Sequence, residues 1–171
     1  MSITLKIRAV HRVLSYFDGT RRKCKRAFIS SSLVKIKRLH QDAKIPSYAH
    51  PGDAGLDLYV AEDITLAPNE RAGVPTGIAM EIPDGHVGLI WDKSGLSIKH
   101  GLKTLAGVVD SGYRGEVLVG IMNLSDAEYT IRKGEKVAQM IIQKKETIAV
   151  EEVDELSSTA RGERGFGSTG K

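Results

Sequence analysis

Gly77-Ile78-Ala79-Met80-Glu81-Ile82 and His86-Val87-Gly88-Leu89-Ile90-Trp91 stand on either side of Pro83-Asp84-Gly85. In the tripeptide, proline presets φ, aspartate bonds its own backbone and glycine accepts a positive φ, so the chain turns there. Short apolar runs bounded by such turns read as strands. Six more runs follow the same logic, at residues 64–66, 105–109, 117–124, 129–131, 137–142 and 148–153. Between them stand Ala67-Pro68-Asn69, Lys93-Ser94-Gly95, Asp110-Ser111-Gly112, Asn123-Leu124-Ser125-Asp126 and Lys133-Gly134-Glu135, all turn chemistry. Beyond residue 34 no segment keeps a 3.6-residue apolar period for the roughly three turns of a stable helix. The expectation is an all-β sandwich or barrel with at most a short helix.

The chain has 171 residues, enough for one domain, and 41% of them are hydrophobic, enough for a packed core. Its apolar runs fall far short of the ~18 residues needed to cross a bilayer, so an integral helical membrane protein is excluded. The single cysteine, Cys24, cannot form an internal disulfide, and no secretory signal opens the chain, which favours a reducing, cytoplasmic setting.

Charge is unevenly spread. Residues 1–33 hold eight cations against one anion, Asp18, whereas the remaining 17 cations are outnumbered by 20 anions. The overall positive balance therefore reports a basic leader and not a nucleic-acid-binding face, and no nucleic acid partner is expected. Within the leader, Val10, Val13, Leu14 and Phe17 fall on one helical face with Arg8 and Arg12 among them. This suits either an organelle-targeting presequence or an unstructured basic extension from an over-long start, and neither carries chemistry. The expected organisation is a leader at 1–33, a β domain at 34–156 and a Gly/Ser/Thr-rich arm at 157–171.

Several polar residues invite a chemical role, each with a plainer reading beside it. Asp57 lies between Leu56 and Leu58 and alone reads as a turn or edge residue. Asp110 joins two apolar strands and could simply cap backbone amides. Ser94 is an ordinary turn serine taken singly. The arm Gly162-Glu163-Arg164-Gly165-Phe166-Gly167-Ser168-Thr169-Gly170 has the glycine separation of a P-loop, but serine replaces its lysine and no buried strand precedes it. Its glycine N–H groups, two hydroxyls and Arg161 and Arg164 still suit an anion. A lone phenylalanine on such an arm needs a flat ligand to pack against. The histidines, among them His40, His50, His86 and His100, are scattered without ligand spacing. Zinc is thereby disfavoured, which leaves Mg²⁺ held mainly by substrate phosphates and water.

Five segments in order resemble the motifs of trimeric dUTP pyrophosphatases (dUTPases): Ala54-Gly55-Leu56-Asp57-Leu58; Lys93-Ser94-Gly95-Leu96; Gly107-Val108-Val109-Asp110-Ser111-Gly112-Tyr113-Arg114-Gly115-Glu116; Gly134-Glu135-Lys136-Val137-Ala138-Gln139-Met140-Ile141; and Arg161-Gly162-Glu163-Arg164-Gly165-Phe166-Gly167-Ser168-Thr169-Gly170. The resemblance covers residues 34–171. It implies a distorted jelly roll of the β-clip type, assembled as a homotrimer whose C-terminal arms are swapped and whose three sites each draw on all three chains. The implied reaction is hydrolysis of dUTP to dUMP and diphosphate by in-line attack of water on the α-phosphorus with Mg²⁺ across the triphosphate, which supplies the dTTP precursor and keeps uracil out of DNA.

The same resemblance assigns roles. Asp110 is the implied general base, a role worth ~10²–10⁴ in rate. Lys93, Ser94, Gly95, Gln139, Arg161, Gly167, Ser168 and Thr169 match substrate-contacting positions, and Asp57 matches an aspartate that acts near the metal through water. Residues 105–114 match a hairpin whose backbone reads uracil, with Gly107 allowing close approach of the base. Tyr113 would lie under the deoxyribose, its plainer reading being a cross-strand aromatic in the core. Phe166 would stack on the base, contributing ~1–3 kcal/mol. Three positions depart from the family pattern. Lys93 stands where many members carry arginine and loses a bidentate fork. Arg164 stands where glycine is frequent. Thr104 stands where some members place asparagine, and it receives no role. Alternatives are a dCTP deaminase-like enzyme and a nucleotide-sensing protein on the same scaffold.

Overall fold

The computed structural model describes residues 33–165. In these residues the order is β1 (Lys35–Arg38), β2 (Leu56–Tyr59), β3 (Ile64–Leu66), β4 (Arg71–Glu81), β5 (His86–Asp92), α1 (Ser94–His100), β6 (Leu102–Leu105), β7 (Val108–Asp110), β8 (Glu116–Asn123), β9 (Tyr129–Ile131) and β10 (Lys136–Lys144). The fold is all-β, as the turn-punctuated pattern implies. Two four-stranded sheets run in the orders β1-β4-β8-β6 and β2-β10-β5-β7, and β3 pairs with β9 in a small ribbon.

One apolar cluster serves all three sheets. Val74, Ile78, Val119 and Ile121 come from the first, Leu58, Ile90, Ala138 and Met140 from the second, and Leu66 and Ile131 from the ribbon. Alternation along β8 shows why: Val117, Val119, Ile121 and Asn123 are buried while the residues between them are not. Asn123 is fully buried because its amide bridges two elements, donating to Leu66 O at 3.0 Å and Ala127 O at 2.8 Å. β4 is long enough to pair with both β1 and β8 but slips register between Pro75 and Ala79. Gly77 absorbs that bulge at φ +68, where a side chain would also strike Ala43 at 2.9 Å.

Four local expectations change. The Lys93-Ser94-Gly95 stretch is not a turn but the entry to α1, which Gly101 ends at φ 67 while donating to Leu96 O and Ser97 O. The run at 105–109 is two strands, because Ala106 at φ 50 breaks it and sends β6 and β7 into different sheets. Residues 105–114 are accordingly not a paired hairpin, since β7 pairs with β5 and β8 pairs with β4 and β6. The run at 148–153 forms no strand: Ile148 and Val150 are 76% and 93% exposed and pair with none of the described strands. Two strands lie outside the eight apolar runs: β1 is short and rich in charge, and β2 carries Asp57 itself, between Leu56 and Leu58.

No helix among the described residues is long and apolar enough to cross a membrane. The leader pattern around Val10–Phe17, Cys24, and Phe166, Gly167, Ser168 and Thr169 lie outside the described residues.

Candidate active site

The first cluster forms where β2, β10 and the end of β5 meet. Register places Asp57 beside Gln139, and Gln139 beside Trp91, so these three share one face of the second sheet. Asp57 is 2% exposed. Its Oδ1 accepts a 2.6 Å charge-assisted bond from Lys93, and Lys136 Nζ stands 2.6 Å from Oδ2. Burial works against ionisation of this carboxyl, yet the two ammoniums outweigh it and hold its pKa below the ordinary aspartate value. The hydrogen bond to Asp57 in turn raises the Lys136 pKa. An edge-residue reading of Asp57 thus gives way to a buried ion-paired carboxylate.

Lys93 leads straight into α1, whose first turn carries Ser94 and Gly95, both exposed. The first N–H groups of a helix have no intrahelical acceptor and favour an anion. Gln139 lies alongside, donating from Nε2 to Asp92 O at 3.0 Å. Its amide is wedged against Gly55, where an added Cβ would lie 2.7 Å from Gln139 Oε1. Asp57, Lys93, Ser94, Gly95 and Gln139 are therefore one constellation, and two ammoniums facing one carboxylate leave it with net positive charge.

The second cluster is at the other end of β5. Asp110 closes β7, exposed, opposite Val87. It borders a recess of about 210 Å³ shared with Ala106, Val108, Tyr113 and Leu118. Tyr113 is 47% exposed, which removes its reading as a core aromatic; its hydroxyl donates to Glu116 O at 2.9 Å. β7 is the last strand of its sheet, so one row of its backbone N–H and C=O groups faces outward. The need for glycine at 107 has an internal cause: a Cβ there would lie 2.6 Å from Ile90 O, and Ile90 N donates to Gly107 O at 2.7 Å.

The two clusters do not meet. Four residues of β5 and two strand spacings separate Asp110 from Gln139, roughly 16 Å by ordinary sheet dimensions. Arg161 is exposed on the arm, where its Nε donates to Arg164 O at 2.9 Å and Arg164 Nε returns a bond to Arg161 O at 3.1 Å.

The sequence assigns no role to four polar residues in or beside these clusters: Lys136, Asp92, Lys103 and Thr104. Lys136 lies within the fourth motif, two residues past its glycine turn, and Thr104 is one of the departures from the family pattern; Asp92 and Lys103 carry no motif. Among the described residues no group of three or more acidic, histidine or cysteine side chains could cage a metal ion. With both oxygens of Asp57 facing ammoniums, the donor set fits a cation carried by phosphate oxygens and water, not one ligated directly by this carboxylate.

The dUTPase family model matches residues 41–170. The chain is 52% identical over 140 residues to the deoxyuridine 5'-triphosphate nucleotidohydrolase of Thermobifida fusca, covering 80% of this chain and 78% of that one. It is 45% identical over 137 residues to the protein of the same name from Clostridium kluyveri, covering 79% and 96%. Among solved structures, a mutant dUTPase of Staphylococcus bacteriophage 80alpha with dUpNHpp superposes with TM-score 0.78 at 32% identity, covering 82% of this chain and all of that one. A mutant dUTPase from phage phi11 of S. aureus, described as showing the coordination of a structural Mg(II) ion, superposes with TM-score 0.69 at 30% identity over 74% of this chain and 99% of that one. With that span of matched sequence and this agreement in fold, the chain belongs to the dUTPase family.

Proposed function

We propose that the two clusters are halves of one active site, completed between copies of the chain, that hydrolyses dUTP to dUMP and diphosphate. The reaction is that of the family. The assignment of residues rests on one observation above all: an exposed carboxylate, Asp110, ends an edge strand whose unpaired backbone borders the recess that also holds Tyr113.

An outward-facing row of main-chain donors and acceptors can read the edge of a base as it would a neighbouring strand. Uracil satisfies the row, and cytosine leaves buried groups unpaired, a mismatch penalised far more than a lost apolar contact. Tyr113, on the solvent side of the same loop, would support the deoxyribose. Asp110 takes the proton of the attacking water. Water is a poor nucleophile at neutral pH, and a carboxylate held at its approach path supplies the missing basicity.

On the other half, Ser94 and Gly95 offer a hydroxyl and free helix N–H groups, Gln139 offers an amide, and the Lys93–Lys136 pair supplies charge, all suited to the triphosphate. A bound Mg²⁺, held by phosphate oxygens and water, would supply further charge neutralisation. Arg161, and beyond it Phe166, Gly167, Ser168 and Thr169, would close over the nucleotide from an arm. Because a span of roughly 16 Å parts Asp110 from Gln139 within one chain, a homotrimer with swapped arms is the arrangement that brings them to one substrate. The exposed Ile148, Val150 and Leu156 would find their ladder or cover on a neighbouring copy. The lone cysteine, which can form no internal disulfide, suits a reducing, cytoplasmic setting.

Mixing two dead variants tests the composite site. Asp110→Asn and Ser94→Ala, each inactive alone, are co-refolded in equal amounts, and release of diphosphate from dUTP is followed. Random assembly places an intact Asp110 and an intact Ser94 in about a quarter of the sites. Activity near that fraction supports the proposal, and none above the parents refutes it.

A further inference from the structure

We propose that Asp92 is a positioning residue that holds the base-reading loop in register with the phosphate-side helix and so sets the preference for uracil over cytosine. This rests on the reading above, in which the chain around Ala106–Asp110 faces the base.

Asp92 is the last residue of β5, two before Ser94. Its Oδ1 accepts from Thr104 N at 2.7 Å and from Thr104 Oγ1 at 2.6 Å, and its Oδ2 accepts from Lys103 Nζ at 2.5 Å. Its backbone carbonyl accepts from Gln139 at 3.0 Å. One residue therefore touches the helix entry, a substrate-side amide and β6. These contacts cross a gap that no ladder bridges, because β5 belongs to the second sheet and β6 to the first, paired there with β8.

Three residues beyond Thr104, a second tie runs back to the same strand through Ile90 N and Gly107 O at 2.7 Å. Leu105 and Ala106 are thus bracketed between two anchors on β5. Ala106 needs that bracket, since its φ of 50 is a conformation that a side-chain-bearing residue leaves unless its surroundings hold it. Releasing the Asp92 anchor lets the loop relax toward ordinary φ and carries the start of β7, and its outward backbone row, away from the fixed position of Ser94 and Gln139. Base discrimination depends on that row meeting the pyrimidine edge within a few tenths of an ångström. It is therefore the property that loosens first, while the proton-accepting carboxylate, anchored farther along β7 against Val87, is affected less.

The test measures steady-state kinetics of the full chain with dUTP and with dCTP for wild type, Asp92→Ala, Thr104→Val and Thr104→Ser, with thermal midpoints taken alongside. Asp92→Ala is expected to lower the ratio of kcat/KM for dUTP to that for dCTP about tenfold, the scale of one lost charge-assisted hydrogen bond. The change should fall on KM for dUTP, with kcat held within about threefold. Thr104→Val, which keeps the N–H bond and volume but loses the hydroxyl, shifts the ratio in the same direction by less, and Thr104→Ser retains the wild-type ratio. If Asp92→Ala fails to fold, Thr104→Val decides. A wild-type ratio in folded Asp92→Ala and Thr104→Val, or equal loss of kcat for both nucleotides, overturns the proposal. A wild-type chain that shows no preference for dUTP overturns the base-reading assignment itself, and this inference with it.

Discussion

Lys93 Nζ lies 2.6 Å from Oδ1 of Asp57, so the cation that opens the Ser94 helix is bound to a buried carboxylate and not extended toward solvent. Lys136 holds the other oxygen. The pair ties β2 to β10 and to the entry of α1, and the single short contact that Lys93 makes with Asp57 is one an ammonium meets without a bidentate fork.

Removing the carboxylate should be costly, because it leaves two ammoniums close together at a site built to neutralise them. Asp57→Ala is expected to lower unfolding free energy by about 2–3 kcal/mol, below the upper range for a broken buried pair because both lysine tails can swing toward water. Urea denaturation measures it. Lys136→Met should cost less, since Lys93 remains on Asp57; an equal or larger loss would show that Lys136 is the principal partner.

Acid should find the same pair. The Asp57 carboxyl is held below its ordinary pKa, so its contribution is complete above the unfolded-state value and drains as pH falls below ~4. Asp92 acts in the same direction: burial opposes its ionisation, but Lys103 and Thr104 outweigh it. Lys136 has a raised pKa, so its contribution is full below the unfolded-state lysine value and is lost as pH climbs through the folded one. Thermal midpoints against pH should show a plateau with shoulders at both ends. Asp57→Asn should flatten the acid shoulder, and an unchanged acid limb would assign the loss to other carboxylates.

Two glycines near Asp110 should behave oppositely. Gly107→Ala drives a Cβ to within 2.6 Å of Ile90 O and should destabilise the fold by about 2–3 kcal/mol as the backbone is pushed apart. Gly112→Ala meets nothing within 4 Å and should leave the thermal midpoint near wild type. Comparable losses at the two sites would mean that the contact between β5 and Gly107 is softer than its geometry implies.

Asp110→Asn keeps shape and size but not basicity. Turnover of dUTP should fall at least ~100-fold, the ordinary worth of a positioned general base, while the affinity for a non-hydrolysable analogue stays within about threefold. Near-normal turnover would remove Asp110 from the chemistry.

Truncation before Arg161 should leave the β domain intact, because the described part of the arm is exposed and bonds chiefly within itself. Turnover should drop with little change in thermal midpoint, and an unaffected rate would deprive residues 161–171 of any role in closing the site.

Local chemistry decided much of this protein before folding was considered. The turn at Pro83-Asp84-Gly85, the short apolar runs bounded by turn residues and the absence of helical periodicity were enough for an all-β chain, since turn chemistry and strand preference act over a few residues. The ordered motifs likewise pointed to Asp110, Gln139 and Ser94. Tertiary structure alone decided the rest. Whether Ile148–Val150 pairs depends on a sheet edge, which no propensity supplies. That Ala106 turns one apolar run into strands of two different sheets depends on the bonds that hold its neighbours to β5, Thr104 to Asp92 on one side and Gly107 to Ile90 on the other. Asp57 became a buried ion pair only when β10 and α1 brought Lys136 and Lys93 to it across 79 and 36 residues of chain. Long-range pairing of this kind is selected by the free energy of the assembled core, a sum over contacts that no single stretch of sequence contains.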